Sequence, residues 1–416
     1  MRYIDLFAGA GGFSEGFKRA GFEPVAHVEV DKSACLTLKT RVAYHYLKSR
    51  GKKDLYLQYL RGEITRPELY SEIPSYILDT VINLSIGDEH NEEIFRRIGE
   101  LNDGEDIDII IGGPPCQAYS IVGRARAGDG MLGDPRNYLY VQYGRFLCRF
   151  EPKMFVFENV LGLLSAGKGK HLKNIQRYFE RIGYVVQPIV VNALDFGVLQ
   201  HRRRVLILGW KKGLDLSIGE LSRRDPLKHM VKSIFSGLPK LSAGEGIDKY
   251  LKYTVGRPDN YLRWAKIKDE FNILTQHMTR PQTKQDKEIY RITVQKWERS
   301  RERLNYNDLP DNLKTHKNRD SFLDRFKVVA ADMPYSHTVV AHIAKDGHYY
   351  IHPDIEQNRS LSVREAARLQ TFPDDYYFES AKSGHIRTPA YRQIGNAVPP
   401  LMVEKIARKI AHYLRR

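Results

Sequence analysis

Cys116 follows Gly113-Pro114-Pro115 and precedes Gln117. A thiol there is a candidate nucleophile once a nearby cation, hydrogen bonds or a helix amino terminus lowers its pKa from roughly 8.5. An isolated cysteine reads first as a small buried apolar residue. The stiff Pro-Pro frame and the groups elsewhere in the chain reverse that preference. Glu158 stands behind Met154-Phe155-Val156-Phe157, so its carboxylate is expected to be partly desolvated and suited to sharing a proton with a substrate base. A structural ion pair with a nearby arginine is the competing reading. In Gln200-His201-Arg202-Arg203-Arg204, strand alternation puts Arg202 and Arg204 on one face, two guanidinium groups placed to grip a phosphate and a carbonyl oxygen.

The elements that must position these groups are an alternation of strands and helices. Ile109-Ile110-Ile111 reads as a strand buried on both faces of a parallel sheet, stopped by glycine and proline. Cys116 therefore sits just past a strand's carboxyl end, where open α/β sheets bind ligands. Residues 3–7 read as a first strand, followed by Ala8-Gly9-Ala10-Gly11-Gly12 and a helix from near Phe13, a unit that brings backbone amides close to a nucleotide. Ser14 takes the place of the third glycine of the dinucleotide fingerprint, which disfavours a pyrophosphate and leaves an adenosyl ligand open. A second strand, 25–30, carries Glu29 at its tip, placed to accept from ribose hydroxyls. A third, 81–86, is followed by Asp88, which either reads an adenine amino group or caps the helix at 91–101. Further strands at 154–160, 184–191 and 204–210, with helices at 36–59 and 135–150, give an α/β fold: a doubly wound, mostly parallel sheet. Residues 120–134, with four glycines and two arginines, read as a loop that closes over a substrate backbone.

The net charge is +16, and residues 201–330 hold 29 Lys and Arg against 16 Asp and Glu, so less than a third of the chain carries most of the excess. That distribution suits a polyanion, with nucleic acid the commonest. From about 214 the strand–helix rhythm is lost and aromatics interleave with the basic residues, the composition of a region that reads base edges from a phosphate backbone. Ser362 with Glu365 forms a capping box ahead of a helix, and an amphipathic helix occupies 401–414. The three cysteines have no metal-like spacing, and no metal is expected. No run of about 18 apolar residues occurs, so the chain is expected in the cytoplasm, away from membranes.

In order, Asp5-Leu6-Phe7-Ala8-Gly9, Gly113-Pro114-Pro115-Cys116-Gln117, Phe157-Glu158-Asn159-Val160, Gln200-His201-Arg202-Arg203-Arg204, Arg364-Glu365-Ala366-Ala367-Arg368-Leu369-Gln370 and Gln393-Ile394-Gly395-Asn396-Ala397-Val398-Pro399 resemble the motifs of the cytosine-5 DNA methyltransferases of bacterial restriction-modification type. The resemblance covers nearly all of the chain except its basic middle. It implies S-adenosylmethionine as cofactor, with Phe7 on the adenine, Ala8, Gly9, Gly11 and Gly12 shaping the loop, and Glu29 on the ribose. Asp88 would take the adenine amino group, Pro115, Leu139 and Asn396 would complete the pocket, and Val30 stands where some relatives carry a tryptophan over the adenine.

The implied reaction adds the Cys116 thiolate to carbon 6 of a flipped-out cytosine, which makes carbon 5 nucleophilic. Glu158 would hold ring nitrogen 3 and the amino group, Arg204 the base carbonyl and Glu158, and Arg202 a position near phosphate and the loop. The implied architecture is a catalytic domain at 1–213, a smaller target recognition domain at 214–387, and a segment at 388–416 that returns to bring Asn396 to Gly9. Double-stranded DNA is the expected partner of a monomer, with a cognate restriction endonuclease as its genetic companion. A transfer-RNA methyltransferase of the same family is disfavoured by the long basic middle and the lack of a Cys-Phe-Thr stretch. A catalytically silent DNA-binding protein is disfavoured by the intact Cys116, Glu158, Arg202 and Arg204.

Overall fold

The structure is a computed structural model that describes residues 1–115, 138–214, 216, 218–219, 221, 229–254, 259–268, 273–316, 318–319 and 322–415. Cys116, Gln117 and the glycine-rich loop at 120–134 lie outside the described residues.

Strand β4 (Ile109–Gly112) is the middle strand of a seven-stranded sheet built with β1 (Arg2–Leu6), β2 (Glu23–Val28), β3 (Val81–Ile82), β5 (Met154–Asn159), β6 (Tyr184–Asn192) and β7 (Arg203–Lys211). The order is β3-β2-β1-β4-β5-β7-β6, and β7 alone runs against its neighbours. The unbroken apolar run of β4 is explained by two cores. Ile109 and Ile111 enter one and Ile110 the other, and β5 repeats the division with Met154 and Val156 against Phe155 and Phe157. Period-two alternation thus feeds both faces at once.

Helix α1 (Gly12–Arg19) leaves the glycine turn after β1 and buries Phe13 and Phe17 in the first core. Helices α2 (Lys32–Ser49) and α3 (Lys53–Arg61) replace the single helix expected over 36–59, because Gly51 takes φ +71° between them. Helices α4 (Asn91–Asn102), α5 (Leu139–Phe150) and α6 (Lys170–Arg181) cover the other face, burying Ile94, Phe146 and Phe179. Strand β3 ends at Ile82 rather than at 86. Asn83 Nδ2 donates to Glu29 O at 3.0 Å and Val30 O at 2.9 Å, so a side chain takes over where the ladder would continue.

The basic middle serves more than one core. Helix α7 (Lys284–Ser300), capped by Thr283 with Asp286, builds a small core from Tyr290, Val294, Tyr306 and Phe326. Ile234, Leu262, Val339 and the helix α8 (Val363–Leu369) instead join the first core of the sheet. Ser362 and Glu365 form the capping box of α8 as expected. Helix α9 (Arg387–Asn396) leads into α10 (Pro400–Leu414), whose Val403, Ile406 and Ile410 share that core with α1. Among the described residues no helix is long and apolar enough to cross a membrane, and no group of three or more His, Cys, Asp or Glu is placed to hold a metal ion.

Candidate active site

Reversal of β7 decides what meets at the carboxyl edge of the sheet. Because β7 starts where β5 ends, with Asn159 opposite Val205 and Glu158 opposite Leu206, its first residues lie beside Glu158. Arg204 Nε donates to Glu158 Oε1 at 2.8 Å, with both side chains mostly covered. The competing sequence reading of Glu158 as an ion-pair member is therefore realised, and a charged pair so placed also offers donors and an acceptor to a base. On the other side β5 pairs with β4, and Gly113 follows directly. A Cβ at position 113 would lie 2.7 Å from Glu158 Oε2, so only glycine leaves room for the carboxylate. Asn159 Nδ2 reaches Pro114 O at 3.5 Å. The Gly113-Pro114-Pro115 turn and the Glu158–Arg204 pair thus form one wall, and Pro115, exposed, is its last described residue.

Next along the same edge lies the glycine turn. Phe7, half-buried, sits at φ +57°, a left-handed conformation that costs a non-glycine residue free energy. Gly9 N donates to Glu29 Oε2 at 2.8 Å, while Glu29 Oε1 accepts from Val30 N at 2.9 Å and Asp31 N at 2.8 Å. Burial raises the proton affinity of Glu29, and these three N–H groups oppose the rise. The carboxylate joins the tips of β1 and β2, and these three bonds leave one acceptor site, on Oε2. Val30 beside it is 63% exposed, an apolar side chain with no core to enter. Ala8 turns inward against Leu38 and Val81 and shapes the loop through its backbone, accepting from Gly11 N at 2.9 Å. A Cβ on Gly12 would lie 2.2 Å from Val398 O, so the chain just past Asn396 presses directly on the turn. Asn396 itself is exposed at the end of α9.

Asp88 is neither helix cap nor strand tip. The N-cap of α4 is His90, and Asp88 pairs with Arg145 and accepts from Gln142 Nε2 at 3.1 Å, both on α5. Its carboxylate is drawn away by those partners to a helix whose first residue is Leu139, half-buried.

Ser14, where the fingerprint would have glycine, serves the strand before it: Ser14 Oγ donates to Asp5 Oδ2 at 2.7 Å. Asp5 is fully buried, and burial lifts its pKa from 3.8 to about 7 despite that bond. Below pH 3.8 both folded and unfolded chains hold this proton. Between 3.8 and about 7 only the unfolded chain releases it, so folded stability falls as pH rises and the loss is complete above about 7. Asp5→Asn should remove that slope, leaving the variant more stable than the parent by about 2–4 kcal/mol at pH 8 and no more stable at pH 4. Denaturant titrations of both proteins across this range check it; a constant difference would contradict it.

Arg202 corrects the sequence reading. It precedes β7 rather than lying on it, so the alternation that would align it with Arg204 has not begun. It is 1% exposed, and its Nη1 donates to Val339 O at 2.7 Å and Nη2 to Ala397 O at 2.8 Å. Instead of facing phosphate, it stitches the sheet domain to two segments more than a hundred residues away. Gln200 does the same, accepting from Val339 N at 2.9 Å and donating to Gln370 Oε1 at 3.1 Å, and Gln370 Nε2 donates to Ala397 O at 3.1 Å. Arg202→Met, which keeps the volume but strands Val339 O, should cost about 2–4 kcal/mol of stability in a denaturant titration. An unchanged midpoint would return the residue to a role at the surface.

The space required at Gly113, the Asn159 contact and the Gln200–Gln370 network were not singled out from sequence. Each depends on a partner far along the chain, and the motif spellings were the only signal.

The model of the C-5 cytosine-specific DNA methylases matches residues 1–55 and 73–412. The stretch it passes over, 56–72, begins within α3, whose Tyr56 and Tyr59 pack in a small core with Ile273 and Tyr377. The chain is 43% identical over 446 residues to Type II methyltransferase M.Bpa9945I of Bacillus paralicheniformis, covering 99% of this chain and 98% of that one. It is 31% identical to Type II methyltransferase M1.HphI of Haemophilus parahaemolyticus, over 99% of this chain and 86% of the relative. A prophage-encoded E. coli protein whose crystal structure is described as that of a putative DNA modification methyltransferase has the same fold, with a TM-score of 0.65 and 23% identity over both whole chains.

Proposed function

The chain belongs to the C-5 cytosine-specific DNA methylases of type II restriction-modification systems, and from that premise we propose which residues bind and react. The enzyme is a DNA (cytosine-5-)-methyltransferase. S-adenosylmethionine fits the glycine turn, where Gly9, Gly11 and Gly12 keep the backbone open, Glu29 presents a carboxylate bonded to the turn for the ribose hydroxyls, and Phe7 and Val30 offer apolar surface to adenine. When bound, it supplies an activated methyl group on a sulfonium. Pro115, Leu139, Asn396 and Asp88 complete the pocket in this reading, Asp88 after release from Arg145, an exposed pairing that costs little to break.

The residues act on the base as follows. Glu158, fixed by Arg204, hydrogen-bonds ring nitrogen 3 and the amino group of a flipped cytosine, and Arg204 extends to the base carbonyl. With the ring's developing charge held there, the Cys116 thiolate adds to carbon 6, and the electron pair it delivers makes carbon 5 the nucleophile toward the methyl group. Loss of the carbon 5 proton and expulsion of the thiolate restore the ring and leave 5-methylcytosine. The observation that carries this reading is the meeting of the Glu158–Arg204 pair, the Gly113-Pro114-Pro115 turn and the Gly9 turn at one sheet edge. Duplex DNA is the substrate, the recognition region occupies residues within 214–387, and the enzyme works as a cytoplasmic monomer alongside a restriction endonuclease.

Expression in a host lacking cytosine methylation, followed by base-resolution mapping of 5-methylcytosine, tests the reading. Full methylation at one short motif is expected. Soluble protein with no methylated cytosine in DNA would overturn it.

A further inference from the structure

We propose that the cavity between the carboxyl end of α7 and the segment around Tyr335 reads the major-groove edge of a guanine in the DNA target and so fixes one position of the recognition sequence. The inference rests on the methyltransferase reading and names a specificity site within it. The cavity holds about 290 Å³ and is lined by Trp297, Tyr335, His201 and Phe326, with Arg303 and Lys327 among its cations.

Three observations carry it. The first is position: His201 N donates to Ser336 O at 2.9 Å and Thr338 Oγ1 to His201 O at 2.7 Å, so one wall of the cavity is bonded to the chain that, three residues on, places Arg204 against Glu158. The second is shape. Tyr335 is 39% exposed, and the Trp297 ring is held by its N–H donating to Asp332 Oδ1 at 3.2 Å, which gives the cavity fixed aromatic walls beside the base edge it would read. The third is the donor set. Asp324 Oδ2 holds Lys327 Nζ at 2.5 Å but Arg303 Nη1 only at 3.6 Å, and Arg303 is largely exposed. A pairing that long and that wet stabilises little, so the guanidinium is available to a new acceptor. Guanine presents two, O6 and N7, on one edge, and arginine is their commonest partner.

Mapping of 5-methylcytosine for the parent, Arg303→Ala, Arg303→Lys and Tyr335→Ala tests this. The parent motif should contain a guanine at which Arg303→Ala loses discrimination, accepting other bases about 10- to 100-fold more readily, with partial recovery in Arg303→Lys. A motif without guanine, or an unchanged motif methylated uniformly less, would overturn the site and leave Arg303 a phosphate contact. Should the variants not fold, oligonucleotides carrying 7-deazaguanine at each motif guanine serve with the parent enzyme: kcat/KM should fall about 10-fold or more at one position, and no fall anywhere refutes the contact. Absence of DNA methylation by the parent would instead sink the functional reading beneath it.

Discussion

Cys116→Ser is expected to take methyl transfer below detection, a fall on the order of 10⁴ to 10⁶ in kcat of the size seen when an attacking group is removed, with DNA affinity retained. A hydroxyl at neutral pH supplies almost no anion, and without addition at carbon 6 the ring's carbon 5 stays too poor a nucleophile for the sulfonium methyl. No other thiol stands in for it. Cys35 is buried and its thiol is pushed up to about 12, while Cys148 lies on α5 with its thiol also raised by partial burial. Transfer of labelled methyl to DNA, measured beside a gel-shift titration, separates the two properties. Retained turnover would overturn the covalent route, and lost binding with lost turnover would point to a folding defect.

Glu158→Gln should lower kcat by about 10²- to 10⁴-fold, the usual worth of a positioned proton-sharing group, while leaving affinity for DNA within a few-fold. Glutamine fills the same space and can still accept from Arg204, but it neither accepts nor returns a proton at ring nitrogen 3 and leaves the guanidinium beside a neutral partner. Gly113→Ala should act in the same direction without touching either charge, because its methyl would press within 2.7 Å of Glu158 Oε2. If single-turnover methylation by Glu158→Gln matched the parent, the pair would be structural and the ring charge would have to be stabilised elsewhere.

Much of this arrangement was legible in the sequence for local reasons. The triple isoleucine of β4, the glycine turn after β1 and the capping box at Ser362 are short-range statements, and the structure repeats them with shifts of a residue or two. The Glu158 carboxylate, behind four apolar residues, was legible as a choice between proton sharing and an ion pair, and its partner proved to be Arg204. Two distant contacts, Arg204 on Glu158 and the return of the chain past Asn396 to the glycine turn, were legible only through the motif resemblance, and others set by distant partners were not. Arg202 looked like Arg204's neighbour on a strand, but its environment is fixed by Val339 and Ala397. Asp88 had two reasonable local roles, and Arg145 on another helix took it for a third. The basic middle read as one region by composition, whereas Ile234 and Leu262 join the core of the sheet and Tyr290 and Val294 build another. For Cys116 the motif carries the whole argument, since that residue lies outside the described part of the chain.

The pressure of Val398 on Gly12 sets a timetable for synthesis. The glycine turn leaves the ribosome long before the residues that close against it and the α10 helix that shares a core with α1, because more than 380 residues lie between Gly12 and Val398. At about 5–20 residues per second, tens of seconds separate the two. Until the later segment arrives the nascent chain holds an open turn, and Arg202, once made, lacks its Ala397 partner. Chains cut before Ala397 should consequently be inert rather than slow, because neither Val398 nor α10 is then present to close the turn.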